Sequence, residues 1–377
     1  MTSGTSAQPR YLLLRRALRN AGDFLIFERA KLLIESVRPD VSIDAADAWR
    51  PLAEQMANEE LRQYRAVIIA GGPGYAAGLV RTYPLGALDQ LPPLVLLALG
   101  SFVVPGTQEQ LGGFRFDDAD KDFLDQVLAR SSMLGARDPV TARLLRANGY
   151  DRVLMTGDPA WYDLTRLYLD PIVPSRIRNV AFTPPANPAY FQQAVDLFER
   201  FAADRTDCSI TIVHHRGVQV PFERLARHHG WLTREISGSA EGFAAYDEVD
   251  LHLGYRVHAH LYATSRGVLS YLVAEDSRGV GAIEGLGGLG LAGFADGWGR
   301  VHRFALAKLP RYANPVRPGL WRLALPASRI LRAPDVSRAM VDQVRADEGD
   351  GFPEHYSARN NMRAALSDMQ RMIATLP

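Results

Sequence analysis

The sequence predicts an α/β protein made of two parallel-sheet domains, and three observations carry this. Short apolar runs alternate with segments of helical periodicity. The alternation stops at Asp170–Arg178, where two prolines and three charged residues replace it. The same alternation then begins again. Strand and helix signals in turn place helices on both faces of parallel strands.

In the first half, strands are expected at Tyr11–Leu14, Ala66–Ala70, Leu94–Leu99, Met133–Ala136 and Val153–Thr156, with helices at Asp23–Val37 and Pro139–Ala147. The last of these is well bounded. Asp138 is a good N-cap, Pro139 suits a first helical turn, and Gly149 can end the helix in a left-handed conformation. In the second half, strands are expected at Asn179–Thr183, Ser209–Val213, Trp231–Ile236, Val249–Leu253 and Val268–Ala274. Helices belong between them at Tyr190–Ala203, Phe222–His229, Ala240–Tyr246 and Val257–Thr264. The tail from about Leu320 is helix-rich and is expected to pack back on the first domain. This divides the chain into residues 1–172, 173–315 and 316–377. Two such sheets on a short linker have a natural ligand site in the cleft between them, near the carboxyl ends of the strands.

At 377 residues the chain is long for one domain and comfortable for two. A formal charge of +1 argues against a protein that coats polyanions, so no nucleic-acid partner is expected, while a local basic pocket stays open. The single cysteine, Cys208, excludes an internal disulfide framework and a multi-cysteine zinc site. The amino-terminal stretch is polar, with no apolar core of a signal peptide. The longest apolar run, Leu94–Leu99, is strand-sized rather than membrane-spanning. A cytoplasmic location is the expectation.

Seven of the nine histidines fall between His214 and His260, which directs attention to the second domain. The sharpest segment there runs from Val249 to His260. A strand ends near Leu253, Gly254 permits a tight turn, and a helix starts near Val257. This puts Arg256 and His258 at a helix N-terminus above the edge of the sheet, where free backbone N–H groups and the helix dipole favour an anion. Arg256 can grip a carboxylate or phosphate with two parallel hydrogen bonds. His258 can donate a bond or transfer a proton. The plainer alternative is a structural ion pair for Arg256 and a satisfied core position for His258.

The Arg256-Val257-His258 segment resembles the Arg-[Leu/Val]-His signature of the polysaccharide pyruvyl transferase family. Four other stretches agree with that family in order and spacing: Asn20-Ala21-Gly22-Asp23, Gly71-Gly72, Ala136-Arg137-Asp138 with Thr141 and Leu144-Leu145, and Gly157-Asp158-Pro159-Ala160. The resemblance implies two Rossmann-like domains facing a cleft, as in GT-B glycosyltransferases, with the acceptor on the first domain and the donor on the second. It implies phosphoenolpyruvate as donor substrate, a sugar or glycan hydroxyl as acceptor, no further cofactor, and contact with a lipid-linked acceptor without an integral membrane segment. The donor pocket carries over to Arg256, Val257 and His258. A further family arginine, expected in the second domain, is assigned to Arg216. Where many members have an acidic–x–Lys turn, this chain has Glu275-Asp276-Ser277-Arg278-Gly279, so Arg278 stands in the lysine's place, and Thr264–Leu269 lacks the usual Gly-x-Pro.

Pyruvyl transfer needs a proton at C3 of the donor, attack of a hydroxyl on C2, departure of phosphate, and exclusion of water. On the resemblance, Arg256 takes an anionic group and His258 the acid role, with Arg216 and Arg278 as further cations. Asp23, Asp158 and Asp276 are the candidate bases, while Asn20, Gly71 and Gly72 line the substrate side. Asn20 and Asp23 could equally be turn formers. A nucleotide-sugar transferase on the same architecture and a non-catalytic anion-binding relative are the competing functions.

Other signals are weaker. Gly285–Gly290 fits G-x-G-x-x-G, yet no clear strand precedes it, so it reads as a loop. Asp118-Ala119-Asp120 mimics a metal-binding D-x-D but reads as a solvated face. His214-His215, His228-His229 and His258-x-His260 are not placed to share a metal, and none is expected. Tyr75, Tyr83, Trp161 and Tyr162 could stack on a sugar, though packing is commoner for such aromatics.

Overall fold

The computed structural model describes residues 8–16, 18–75, 78–295 and 335–377. The expected boundary at 315/316 and the start of the tail near Leu320 lie outside the described residues. The described residues build an α/β protein around two Rossmann-like parallel sheets, one of four strands and one of six.

The first domain runs β1 (Arg10–Arg15), α1 (Ala21–Val37), β2 (Ser42–Asp47), α2 (Asn58–Leu61), β3 (Ala66–Ala70), β4 (Pro73–Tyr75), α3 (Leu79–Thr82), β5 (Leu94–Leu97), β6 (Gly100–Ser101), α4 (Gln108–Gly112), α5 (Asp118–Arg130), β7 (Leu134–Ala136), α6 (Pro139–Ala147) and β8 (Val153–Met155). Its sheet has the order β2-β1-β3-β5, all parallel. A bridge between Leu99 and Ala136 continues it into the parallel pair β7-β8. The central strands are buried on both faces, which is why they read as unbroken apolar runs. β2 is an edge strand, largely half-buried. Asp44 and Asp47 on it pair with Arg10 at 2.8 Å and Arg15 at 3.3 Å on β1.

The second domain runs β9 (Asn179–Thr183), α7 (Phe191–Asp204), β10 (Ser209–His214), α8 (Val220–His229), β11 (Leu232–Glu235), β12 (Leu251–Gly254), α9 (Val257–Arg266), β13 (Leu269–Ala274), α10 (Ser277–Gly285) and β14 (Gly290–Ala292). Its six strands lie in the order β11-β10-β9-β12-β13-β14, all parallel. The chain therefore winds one way from β9 and the other way from β12. The crevice at such a reversal, outside the carboxyl ends of the strands, is where open α/β sheets bind ligands. In the first domain the reversal falls between β1 and β3.

Two helices close the chain, α11 (Val336–Gly349) and α12 (Pro353–Ala374). α11 packs along α7 of the second domain. α12 crosses to the first, and the carbonyl of Pro377 accepts from the Tyr11 hydroxyl at 2.7 Å. The buried guanidinium of Arg359 on α12 donates to the carbonyls of Leu169, Thr264 and Ser265 at 2.6, 2.9 and 3.1 Å, tying the interdomain linker to α9. Asp163 adds a second tie, accepting at 2.9 Å both from Arg29 on α1 and from Arg266 on α9.

Several local expectations change. Asp120 is not on a solvated face. It is buried and accepts from the Leu79 N–H at 2.7 Å, because Asp117 caps α5 and turns Asp120 inward. The Gly285–Gly290 stretch links α10 to β14, a helix-to-strand connection with no likeness to a dinucleotide turn. Tyr75, Tyr83, Trp161 and Tyr162 are core residues. The paired histidines act separately. His215 bonds the Tyr246 hydroxyl at 2.5 Å, and His229 stacks on Trp231 at 4.6 Å. Among the described residues, no helix is long and apolar enough to cross a membrane.

Candidate functional site

The two strand reversals face each other, and the expected site residues gather between them. On the second-domain side, Gly254 ends β12 directly beside Thr183 at the end of β9. A Cβ at Gly254 would meet the Thr183 carbonyl oxygen at 2.4 Å and its hydroxyl at 2.5 Å, and φ there is +155°, so only glycine fits. The Thr183 carbonyl then accepts from Tyr255 N–H at 2.9 Å and its hydroxyl from Arg256 N–H at 3.3 Å. This fixes Arg256 as the N-cap residue of α9, with no side-chain cap, and His258 in the first turn. Both are partly buried and lie at the carboxyl end of a central strand.

Behind Thr183 runs a buried polar chain. Its hydroxyl meets His252 Nε2 at 2.8 Å, His252 Nδ1 meets the Ser270 hydroxyl at 2.7 Å, and that hydroxyl meets His260 Nδ1 at 2.8 Å. The Ser270 N–H donates to His355 of α12 at 2.9 Å. Burial holds His252 and His355 down at about 3 and keeps them neutral.

From the first domain, α1 points its N-terminus at His258. A Cβ on Gly22 would lie 2.1 Å from His258 Nδ1. Asn20 is the N-cap position of α1 but caps nothing with its side chain, which bonds Asp23 instead. Burial raises the Asp23 carboxyl, and Asn20, Arg16, Arg278 and Arg216 oppose the rise. Asp23 lines a small cavity with Arg16, Ile26, Phe27, Ala70 and Gly72 at the first sheet's reversal. Gly71 and Gly72, at φ +61° and +74°, turn the chain away from β3 there.

Arg137, which sequence reasoning placed in a helix-start motif and gave no further role, is at the centre. It is 3 % exposed, and Gly100 leaves the room its guanidinium fills: a Cβ there would lie 2.1 Å from Nε. Its Nε reaches Asp138 at 3.3 Å and its Nη1 stands 3.6 Å from Asp158 Oδ2. That same oxygen is 4.0 Å from His258 Nε2. Yet Arg137 Nη1 and Nη2, Asp158 Oδ2 and His258 Nε2 are all buried without a hydrogen-bond partner. Unsatisfied polar atoms are costly to bury, so their convergence marks a place for a polar ligand. Burial, then Arg137, Arg278 and Arg256, pulls the His258 imidazole down to about 3.

The remaining assignments divide. Asp158 also caps the turn at Pro159–Trp161, accepting from Ala160 N–H at 2.9 Å. Asp276 is committed to the fold: it caps α10 through Arg278 N–H at 3.0 Å and pairs with the Arg278 guanidinium at 2.6 Å. Arg278 also lies over the Phe102 ring at 4.5 Å, reaching across to the first domain. Arg216 follows β10 and acts on both Asp23 and Arg256. Glu275 was passed over. It is buried and accepts from Ala186 and Asn187 N–H at 2.7 and 2.6 Å. Burial pushes its carboxyl up to about 7, against the opposing pull of Arg256.

The profile of the family described as polysaccharide pyruvyl transferase matches residues 20–277. No curated protein matches the sequence. Among solved structures, UDP-GlcNAc 2-epimerase from Neisseria meningitidis bound to UDP-GlcNAc is 10% identical with a TM-score of 0.47, covering 89% of this chain and 100% of that one. A glycosyltransferase from Rickettsia africae is 11% identical with a TM-score of 0.43, covering 96% and 99%. The family match spans Asn20 through Ser277, more than half of the chain: the chain belongs to the polysaccharide pyruvyl transferase family and is a transferase.

Proposed function

We propose that the protein moves a pyruvyl group from phosphoenolpyruvate to sugar hydroxyls of a polysaccharide or its precursor. The observation that carries this reading is the meeting of Arg137 and Arg256, from opposite domains, with His258 between cations whose polar atoms are left unpaired. A small donor with a carboxylate and a phosphate needs two guanidinium groups and a proton source, and this arrangement supplies both.

Arg137 and Arg256 hold the two anionic ends of the donor. Burial first, and then the surrounding arginines, keep His258 neutral. An arriving dianion offsets those arginines, and the imidazole takes up a proton, with Asp158 behind it as counterion. His258 then protonates C3. An acceptor hydroxyl attacks C2, its proton passing to a carboxylate, and the bond from C2 to the phosphate oxygen breaks as phosphate leaves. A second hydroxyl of the same sugar adds to the C2 cation this leaves, its proton going to the departing phosphate, and completes the ketal. Asp23 is the best-placed base: Asp276 is held by Arg278 and Asp158 by Arg137, whereas Asp23 lines a small cavity at the first sheet's reversal. Packing α10 close, with Gly281 against Asp138 and Gly285 against Trp161, narrows the cleft and limits water.

The test is acceptor-dependent phosphate release from phosphoenolpyruvate by wild type and His258→Ala. The reading expects release by the wild type and a fall of about 10²–10⁴-fold in the variant. Equal rates would remove His258 from the reaction. Thermal stabilisation by UDP, GDP or CMP but not by phosphoenolpyruvate would move the donor to a nucleotide sugar.

A further inference from the structure

The turn that follows β10, at the second sheet's reversal, holds a buried donor and a buried acceptor that the reaction above does not use. β10 ends at His214, which is 1% exposed. β9 lies between β10 and β12, so His214 and Arg256 leave the sheet on either side of Thr183. The backbone N–H of Gln219, the N-cap residue of α8, donates to His214 Nδ1 at 3.3 Å. A ring nitrogen that accepts carries no proton, so the neutral imidazole holds its proton on Nε2. That N–H is buried with no partner among the described residues. The Gln219 amide is oriented too. Its Nε2 donates to the Pro185 carbonyl at 2.8 Å, in the chain leaving β9, which makes Oε1 a buried acceptor, again without a partner. Arg256 Nε is a third buried atom in the same condition. Burial first, then the Arg256 charge, lowers the His214 imidazole, with Glu235 and Glu223 opposing. A proton on Nδ1 would also break the bond from Gln219, so His214 acts as a neutral donor.

Buried groups left unpaired are costly, and a donor in the field of a guanidinium suits an anion. The acceptor narrows the choice. Sulfate or a carboxylate offers a carbonyl oxygen only lone pairs, and the two repel. Hydrogen phosphate offers oxygens that accept and one hydroxyl that donates. We propose that His214 and Gln219, beside Arg256, form a subsite for hydrogen phosphate, in which His214 Nε2–H donates to a phosphate oxygen and Gln219 Oε1 accepts from the phosphate hydroxyl. Its role rests on the pyruvyl-transfer reading, in which the departing phosphate takes the proton of the second hydroxyl. The phosphoryl group of the bound donor has no hydroxyl and gains only the His214 bond. The bond to Gln219 forms once the departing phosphate is protonated, so the subsite favours the leaving group over the intact donor.

The experiment is calorimetric titration of the full chain with inorganic phosphate and with sulfate, a tetrahedral dianion that lacks the hydroxyl, at about pH 7.5. Wild type should bind phosphate about tenfold or more tightly than sulfate, the size of one hydrogen bond gained and one repulsion avoided. His214→Asn keeps an acceptor in the place of Nδ1 and has nothing at Nε2. It should weaken both anions about tenfold or more, with a urea midpoint near that of wild type. His214→Gln keeps a donor in the place of Nε2 and gives up the bond from Gln219. It should hold phosphate within about threefold of wild type while losing stability. Gln219→Met should erase the preference by weakening phosphate and not sulfate. Equal binding of the two anions by wild type, wild-type affinity in His214→Asn, or losses that follow the urea midpoint in every variant would each overturn the subsite. Phosphoenolpyruvate is titrated in parallel. Turnover of phosphoenolpyruvate without a preference for phosphate over sulfate sinks the subsite alone. The predicted phosphate binding without any binding of phosphoenolpyruvate supports the subsite and sinks the pyruvyl-transfer reading.

Discussion

The imidazole of His258 occupies the space that a side chain on Gly22 would need, since a Cβ there would stand 2.1 Å from Nδ1. One residue of the second domain is thus seated on the first turn of the first domain's leading helix. The acid proposed for catalysis is held in place by the closeness of the two domains.

Gly22→Ala tests that seating. Alanine favours a helix over glycine by about 1 kcal/mol, so the fold should survive. The added methyl must push His258 aside, and displacements of about 1 Å cost roughly 10²-fold in rate. A melting temperature near that of wild type with kcat/KM down by about that factor is expected. An unchanged kcat/KM would show that the position of His258 does not matter.

Arg137→Lys keeps the charge and loses the fork. The hydrogen bonds lost to a charged partner are worth about 1.5–3 kcal/mol, so the donor Kd should rise about 10–100-fold. Equilibrium binding of phosphoenolpyruvate measures it. A Kd within a factor of two of wild type would place the donor away from Arg137.

Thr183→Val removes the hydroxyl that meets both Arg256 N–H and His252. Two buried polar groups lose their partner, at about 1–3 kcal/mol each. Stability by urea titration should fall, and the donor Kd should rise because the Arg256 turn loosens. Thr183→Ser should restore both. Restored stability without restored affinity would mean that the chain behind Thr183 supports the fold alone.

Stability should also fall on acidification. His252, His258 and His355 are depressed to about 3 by burial, with arginines adding to the effect at His258. The unfolded chain therefore binds more protons below about 6.5 than the folded chain does, and each residue's loss grows as pH drops through the window from about 6.5 to about 3. At pH 5 the cost is about 2 kcal/mol per histidine. Glu275, raised to about 7 by burial, acts in the opposite sense, weakening the fold as pH climbs from about 4.5 to about 7. Urea titrations at pH 7 and pH 5 should show the histidine loss dominating. A midpoint that does not move would contradict neutral burial of these imidazoles.

Much of the fold could be read from residue order because the central strands are apolar on both faces. β3, α6 and β9 have the bounds their patterns predict. β2 escaped notice because an edge strand carrying Asp44 and Asp47 shows no apolar run. α10 escaped because Gly279, Gly281 and Gly285 look like a loop, yet they are what lets the helix lie against Ala274, Asp138 and Trp161. At the site, the turn at Gly254 announced Arg256 and His258. Arg137 was visible only as part of a helix start, since burial beside Asp158 and the approach of His258 are long-range facts. Glu275 was visible only as one acid of the turn that follows β13, since its burial beside Arg256 is likewise a long-range fact.

The central claim is that a small dianion binds between Arg137 and Arg256 and that His258 takes up a proton from solvent as it does. Calorimetric titration with phosphoenolpyruvate at pH 7.5, in two buffers of different ionisation heat, tests it most directly. The account predicts saturable binding with uptake of a proton that disappears in His258→Ala. No binding, or the same proton count in wild type and variant, would contradict it.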